Sequence, residues 1–296
     1  MAHRPPLLID DPRCREALAG ARIMYTDLDG TLLGRGGSVL TDHVGVPTLV
    51  TAEAVVQLNR ASLPIVISSG RNAMQLVEIS RILGWSGFIA EMGAVFVRDR
   101  GDEISYNLGV WPDGSVPEGR TPYDLIDESG AAARVIAAFP GLIEYHAPFH
   151  LNRLATHVMR GKVAIDAAQA AIDAGHPPLP IDIVDNGIIH PWRHTLVGVE
   201  TVHIYHLMPR GVNKAQAVTA DLAHRGIRRE EAIAVGDSVS DLKMAEAVGL
   251  FALVRNGLDS PATATAAALL DNLVVTEQAQ GHGWAEIAHA WLAAKL

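Results

Sequence analysis

The feature that most constrains this chain is the run Ile23-Met24-Tyr25-Thr26-Asp27-Leu28-Asp29-Gly30-Thr31-Leu32-Leu33. Apolar residues lead into two carboxylates one residue apart, then a glycine and a threonine. A short buried strand that stops at a turn has this pattern. Residues i and i+2 of a strand share a face, so Asp27 and Asp29 are expected together at the strand's carboxyl end. In an open α/β sheet that end is where ligands bind. Paired carboxylates repel, and a bound cation relieves the repulsion. An Asp-Gly turn with no further duty is spelled the same way, so the rest of the chain must decide.

The 296 residues exceed the usual size of a single domain. Hydrophobic residues make up 49% and charged residues 19%, which suits a packed core and excludes a disordered chain. Lys plus Arg total 24 against 33 Asp plus Glu, a net charge of −9, and no long basic run appears. A nucleic-acid partner is therefore not expected. Cys14 is the sole cysteine, which rules out an intramolecular disulfide and a cysteine-based zinc site and fits a reducing compartment. Met1–Gly20 has no signal-type apolar core, and no apolar run reaches membrane-spanning length. The expectation is a cytoplasmic protein with no membrane partner, a monomer or homodimer.

Along the chain, Asp11 to Leu18 predicts a short helix, and 33–46, with Gly34, Gly36 and Gly37, reads as an irregular loop or flap. Thr51–Ala61 predicts a helix with Thr51 as its N-cap. Leu63–Gly70 reads as a buried strand, Asn72–Leu83 as an amphipathic helix closed by Gly84, and Phe88–Ala90 as a strand that turns at Glu91–Gly93 into a hairpin ending at Arg98. From Asp99 to Arg120 no clean period exists. Leu125–Phe139 predicts one helix, Ala155–Val163 a strand, Ala164–Ala174 a helix, and Pro180–His190 and Thr201–Met208 strands. The first texture returns near Gly211. A helix over Lys214–His224, a strand over Ala232–Gly236, a helix over Asp241–Val248, a strand over Leu250–Val254, a helix over Pro261–Leu270, a strand over Asn272–Thr276 and a helix from Trp284 to Lys295 are expected. Repeated strand–helix units imply a parallel sheet with right-handed crossovers, interrupted by an inserted α+β segment.

Four polar clusters follow predicted core strands or open a core helix: Asp27 and Asp29; Ser68-Ser69-Gly70-Arg71; Lys214; and Gly236-Asp237-Ser238-Val239-Ser240-Asp241. A parallel sheet would gather them on one edge. Their inventory of carboxylates, a hydroxyl and an ammonium suits phosphoryl transfer. Together, DLDGT, SSGR, the lysine of GVNKAQAV, and GDSVSD resemble, in order, the four motifs of haloacid dehalogenase superfamily phosphohydrolases. The long insert resembles the type IIB cap, and Phe88–Ala94 resembles the "ENGA" hairpin of Cof-like members, with Met92 in place of Asn. Ser240 likewise replaces an Asn common in the fourth motif, a retuning rather than a loss.

The resemblance implies an α/β fold: a Rossmann-like three-layer parallel sheet core (1–110 and 209–296) with an inserted α+β cap domain (111–208). It implies that Asp27 attacks phosphorus to form an aspartyl-phosphate and that Asp29 acts as the acid/base. Asp27, the Leu28 carbonyl and Asp237 would bind Mg²⁺, with Asp241 as a further ligand or close by and Asp29 counted among the carboxylates around the metal. Ser69 and the Gly30 amide would bind the phosphoryl oxygens, and Lys214 would offset the charge. Like charges at 4 Å repel by about 4 kcal/mol per pair at an effective dielectric near 20, which is why a dianion meeting a carboxylate needs these cations. Asn256 resembles an Asn near the site in the family, and Arg71 either reaches substrate or closes a salt bridge at the sheet edge.

The insert offers His150, Asn152, Arg153, His157, Arg160, Asn186, His190, Arg193, His194, His203 and His206 as candidate substrate binders. Arg160 and Asn186 stand out because each lies at an expected strand end or turn. The histidine spacing matches no zinc pattern. The cap type resembles those of sugar-phosphate and mannosyl-3-phosphoglycerate phosphatases and of phosphomannomutases. The expected partner is therefore a small phosphorylated substrate, a sugar or polyol phosphate, hydrolysed with Mg²⁺. A phosphomutase or phosphotransferase uses the same motifs and passes the phosphoryl group to a second hydroxyl. A non-catalytic phosphometabolite sensor has no use for both Asp27 and Asp29.

Overall fold

A computed structural model describes residues 7, 9–176, 178–189 and 193–295. Its strands are β1 (Ile23–Thr26), β2 (Ile65–Ser68), β3 (Phe88–Ala90), β4 (Val95–Arg98), β5 (Glu103–Tyr106), β6 (Ile143–Tyr145), β7 (His157–Gly161), β8 (Ile181–Ile189), β9 (Val202–Pro209), β10 (Ala232–Gly236), β11 (Leu250–Leu253) and β12 (Leu273–Val275). Its helices are α1 (Pro12–Gly20), α2 (Val50–Arg60), α3 (Ala73–Leu83), α4 (Pro122–Glu128), α5 (Ala131–Ala138), α6 (Ile165–Asp173), α7 (Lys214–Arg225), α8 (Val239–Leu242), α9 (Pro261–Ala267) and α10 (Gln280–Ala293). Among the described residues, no helix is long and apolar enough to cross a membrane.

An eight-stranded sheet runs β12-β11-β10-β1-β2-β3-β4-β5. It is parallel from β12 to β3 and closes with the antiparallel pairs β3–β4 and β4–β5. Period-two alternation sends β1 residues to both faces. Met24 packs in the cluster containing Leu58, Leu76, Trp284 and Trp291, which lines up α2, α3 and α10. Ile23 and Tyr25 join Val218, Leu222 and Leu242, from α7 and α8. The result is a three-layer α/β core. The intervening chain builds a four-stranded antiparallel sheet, β6-β7-β9-β8, packed on α4, α5 and α6 around Ile126, Val135, Ile172, Tyr205 and Leu207. This is the inserted α+β unit.

Several local expectations change. Helix α2 starts at Val50 with Leu49 at its N-cap and no capping side chain. Thr51 lies inside the helix, buried where α2 meets α10; a Cβ on Gly281 would come within 2.3 Å of its Oγ1. The expected helix over Leu125–Phe139 is two helices, because Gly130 takes a left-handed conformation (φ +69°) between them. Thr121 starts α4 instead, in a reciprocal capping box with Asp124. The helix expected from Asp241 begins earlier, at Val239, and passes into a 3₁₀ turn over Lys243–Glu246. Strands β5 and β6 were not expected; both are short, lie at sheet edges and lack a clean alternation. The strand expected to end at His190 is described to Ile189; His190 lies outside the described residues.

Candidate active site

Asp27 follows the last residue of β1, and its amide donates to the Val235 carbonyl (3.0 Å), so the chain stays beside β10 as it leaves the sheet. Only 7% of Asp27 is exposed. It faces α7, whose first residue is Lys214. A cation in the first turn is disfavoured by the helix dipole, so this lysine must be stabilised otherwise. Its Nζ lies 2.8 Å from Asp27 Oδ1 and 2.6 Å from Asp241 Oδ1. The helix is fixed in turn by the buried Tyr25 hydroxyl and by Arg225, which both donate to Asp221 Oδ2 (2.8 and 2.6 Å).

The loop after β10 supplies the other carboxylates. Ser238 caps α8, and Asp241 reciprocates: its Oδ2 accepts from the amides of Asp237 and Ser238 and from the Ser238 hydroxyl (3.2, 3.0 and 2.7 Å). Asp237 accepts from the Thr31 hydroxyl (3.3 Å) and from Asn256 Nδ2 (3.3 Å). Gly30 is required here twice over. Its φ is +85°, and a Cβ would lie 2.3 Å from Asp237 Oδ2.

Oxygen atoms of Asp27, Asp237 and Asp241 lie within 4.8 Å of one another. Burial, above all, raises Asp27 to about 7; the Lys214 ammonium opposes this and the Asp241 and Asp29 carboxylates add to it. Burial and the Asp241 and Asp27 carboxylates push Asp237 well above the ordinary carboxylate range. Burial pulls Lys214 down, but the attraction of Asp241 and Asp27 outweighs it, and its net shift is upward. Three crowded carboxylates, two of them bound to one ammonium, make a donor set of hard oxygens that fits a divalent cation such as Mg²⁺.

Ser69 lies across the opening, 2% exposed, at the end of β2. Three successive carbonyls of its loop are held. Ser69 O accepts from Met92 N (3.1 Å), Gly70 O from Arg153 Nη2 (2.8 Å), and Arg71 O from Glu91 N (3.0 Å). Glu91 and Met92 sit in the β3–β4 turn with left-handed backbones (φ +53° and +61°), a conformation in which Asn is better accommodated than Met. The fully buried Glu91 carboxylate accepts from the amides of Leu154, Ala155 and Thr156 (2.8, 3.1 and 2.8 Å) and from the Thr156 hydroxyl (2.9 Å). It also lies 3.6 Å from Arg153 Nε. Glu91 therefore joins the core hairpin to the stretch of the insert that leads into β7. Sequence reasoning gave it no role, although a carboxylate inside the apolar run FIAEMGAVF is itself a sign of a buried, satisfied charge.

Asp27 and Asp29 line the same cavity, but strand alternation is not what puts them there, because β1 ends at Thr26, before both. Asp29 is exposed and pairs bidentately with Arg71 (Nε–Oδ2 2.7 Å, Nη2–Oδ1 2.5 Å). It is not part of the three-carboxylate group. The Leu28 carbonyl is also committed, accepting from the Thr31 and Leu33 amides (3.2 and 2.9 Å), so its lone pairs face a turn and not a cation. Arg160 lies off the cavity, where it is buried and bound to Glu144 (2.6 Å) and the Ala147 carbonyl (3.2 Å). Asn186 does reach the site, and its Oδ1 accepts from the Ser240 hydroxyl (3.2 Å). Asn256 donates to the Gly30 carbonyl (2.9 Å) as well as to Asp237. His157 stacks on Tyr123, centroids 3.9 Å apart, and Arg193 and His194 are exposed away from the cavity. Arg153, His203 and His206 line it. The cavity, about 1080 Å³, opens between the carboxyl ends of the parallel strands and one face of the β6-β7-β9-β8 sheet.

The Asp29–Arg71 pair is accessible, and exposed ion pairs add about 0–1 kcal/mol to stability. Arg71→Gln is expected to leave the melting temperature within about 2 °C. Phosphate release should fall by roughly tenfold or more, because a carboxylate held by two hydrogen bonds loses its orientation. Steady-state kinetics beside a thermal melt reads both; unchanged kinetics would make the pair a surface contact.

A family model for haloacid dehalogenase-like hydrolases matches residues 195–273. The phosphoglycolate phosphatase of Methanoculleus marisnigri is 27% identical over 267 residues, covering 90% of this chain and 94% of that protein. Among solved structures, Thermoplasma acidophilum 0175 aligns at TM-score 0.60 with 17% identity, covering 92% of this chain and 98% of that one. The sucrose-phosphatase of Synechocystis aligns at TM-score 0.59 with 15% identity, over 91% and 98%. At these identities the two structures attest the fold.

Proposed function

We propose that the chain is a haloacid dehalogenase-like phosphohydrolase with a type IIB cap, a phosphoric monoester hydrolase that releases phosphate from a small sugar or polyol phosphate with Mg²⁺, by way of Asp27; the family match over 195–273 and the likeness to phosphatases support the reading. The observation that carries this reading is Asp27 held 2.8 Å from Lys214 within a buried group of three carboxylates at the sheet's carboxyl edge.

In this reading Asp27 Oδ attacks phosphorus in line with the ester oxygen. The P–O bond to the leaving group breaks, and Asp29, steered by Arg71, gives that oxygen its proton. Asp29 then takes a proton from the water that attacks the aspartyl-phosphate, and Asp27 is regenerated with release of phosphate. Ser69 and the Gly30 amide hold the non-bridging oxygens, and Lys214 keeps Asp27 ionised and offsets the added charge. Asp27, Asp237 and Asp241 would hold the Mg²⁺, whose chemistry is to neutralise the phosphoryl oxygens during transfer. Residues 111–208 serve as the cap that bounds the leaving-group side.

The relatives' name favours a second substrate, 2-phosphoglycolate. A panel of sugar phosphates, polyol phosphates and 2-phosphoglycolate separates the two by relative kcat/KM. The metal is tested on the same panel. Removal of divalent ions with EDTA is expected to lower release at least 100-fold and millimolar Mg²⁺ to restore it. Mg²⁺ should also raise the melting temperature, since it binds the folded carboxylate group and not the unfolded chain. Release that is indifferent to EDTA would remove the metal from the mechanism.

A further inference from the structure

The wall of the cavity opposite Asp27 is one face of the four-stranded sheet. On β9, Tyr205 and Leu207 point into the core of the inserted unit, so the alternate residues Ile204 and His206 turn to the cavity. His206 is 1% exposed, and neither ring nitrogen has a hydrogen-bond partner. A buried polar side chain without a partner is a rarity that needs a reason. Gly70 lets the Ser69–Arg71 loop approach it closely: a Cβ there would lie 3.1 Å from Asn186 Nδ2 and 3.4 Å from His206 Nε2. His146 lines the same cavity, and its Nδ1 is also buried and unpartnered. Asn186 and His206 thus meet beside Gly70, and His146, close enough to act on His206, lines the same cavity.

We propose that His206, with His146 and Asn186, forms a subsite that binds hydroxyl groups of the substrate's leaving group, and so selects polyhydroxylated phosphate esters over those bearing a second anion. This rests on the phosphatase reading above and names the chemistry of its substrate. A neutral imidazole offers one donor and one acceptor, and a hydroxyl group matches both. Burial, and then the nearby Arg153 and His146, hold His206 well below its usual range; burial and the guanidiniums of Arg160 and Arg153 bring His146 to about 4. Both rings are therefore uncharged at neutral pH. Among the described residues, the cavity's cations are committed elsewhere. Arg153 donates to Thr156, Gly70 and Phe149, Arg71 pairs with Asp29, and Lys214 pairs with Asp27 and Asp241. A substrate carboxylate would meet no free positive charge there, whereas hydroxyls would meet three neutral partners. The volume of about 1080 Å³ also exceeds what a two-carbon acid phosphate fills.

The test measures binding and turnover separately. In an Asp27→Asn background with Mg²⁺, calorimetry compares a hexose monophosphate, 2-phosphoglycolate and inorganic phosphate. The hexose monophosphate is expected to bind at least tenfold tighter than inorganic phosphate and tighter than 2-phosphoglycolate. Adding His206→Phe should remove most of that advantage and leave inorganic phosphate within about threefold; His206→Gln, which keeps a donor and an acceptor, should recover part of it. Equal affinities for all three ligands, or His206→Phe weakening all three alike, would overturn the subsite. So would no change at all, which would make His206 a packing residue of the cavity wall. The unsubstituted Asp27 protein is assayed in parallel with an aryl phosphate. Selective binding without any phosphate release would sink the phosphatase reading and leave the subsite standing; release without selectivity would do the reverse.

Discussion

Asp27→Asn is expected to abolish phosphate release, by on the order of 10⁴-fold or more, while the protein stays folded. The substitution keeps the shape of a side chain that is 7% exposed and still leaves Lys214 its partner Asp241, 2.6 Å away. It removes the charge that attacks phosphorus. It also removes one of three mutually repelling carboxylates, so the melting temperature should hold or rise in the absence of metal. A second signature separates attack by Asp27 from mere electrostatic help. Rapid acid quenching of the unsubstituted protein with ³²P-labelled substrate should trap label on protein, and the Asn variant should trap none. Residual activity within tenfold of the unsubstituted protein would mean that another group attacks phosphorus.

Glu91→Ala should have the largest effect on stability. The carboxylate accepts four hydrogen bonds from Leu154, Ala155 and Thr156 and faces the Arg153 guanidinium, itself buried. Removal leaves three amides and a cation without their acceptor, at about 3–5 kcal/mol. A fall in melting temperature of roughly 5–15 °C follows. Because Arg153 also holds the Gly70 carbonyl, activity should drop at temperatures where the variant is still folded. Replacing both charges, Glu91→Gln with Arg153→Met, should recover a large part of the stability, since the penalty comes from the unpaired charge. If Glu91→Ala melts within 2 °C of the unsubstituted protein, the joint between hairpin and insert has been misread.

How much of this was legible in the residues follows from locality. Strand β10 was read to the residue because Ala232–Gly236 is a short apolar run ended by glycine and aspartate. Helix α3 was equally plain, with Asn72 capping one end and Gly84 closing the other. Thr51 misled because a good capping residue was already claimed by packing between α2 and α10. Asp29 reaches the cavity of Asp27 for a reason the face-sharing rule does not supply: β1 ends one residue before Asp27, and the turn after it and the pair with Arg71 orient the carboxylate. Arg160 and Arg153 look alike in the sequence, yet Glu144 draws the first away while Gly70 and Glu91 hold the second at the cavity. Non-local partners of that kind leave no mark on spacing. His206 was visible among many histidines, but its isolation appeared only once β7, β8 and β9 were paired around it.

The joint at Glu91 bears on how such proteins diversify. The carboxylate belongs to the core hairpin, whereas its donors and Arg153 belong to the insert. The two halves of the contact are therefore written in separate segments of the chain and are of use only as a pair. A cap transplanted here from another protein would have to bring its own arginine and three presented amides, or strand a buried charge at the seam. Recombination among relatives can trade the recognition surface freely along β8 and β9, but the seam itself must be inherited whole.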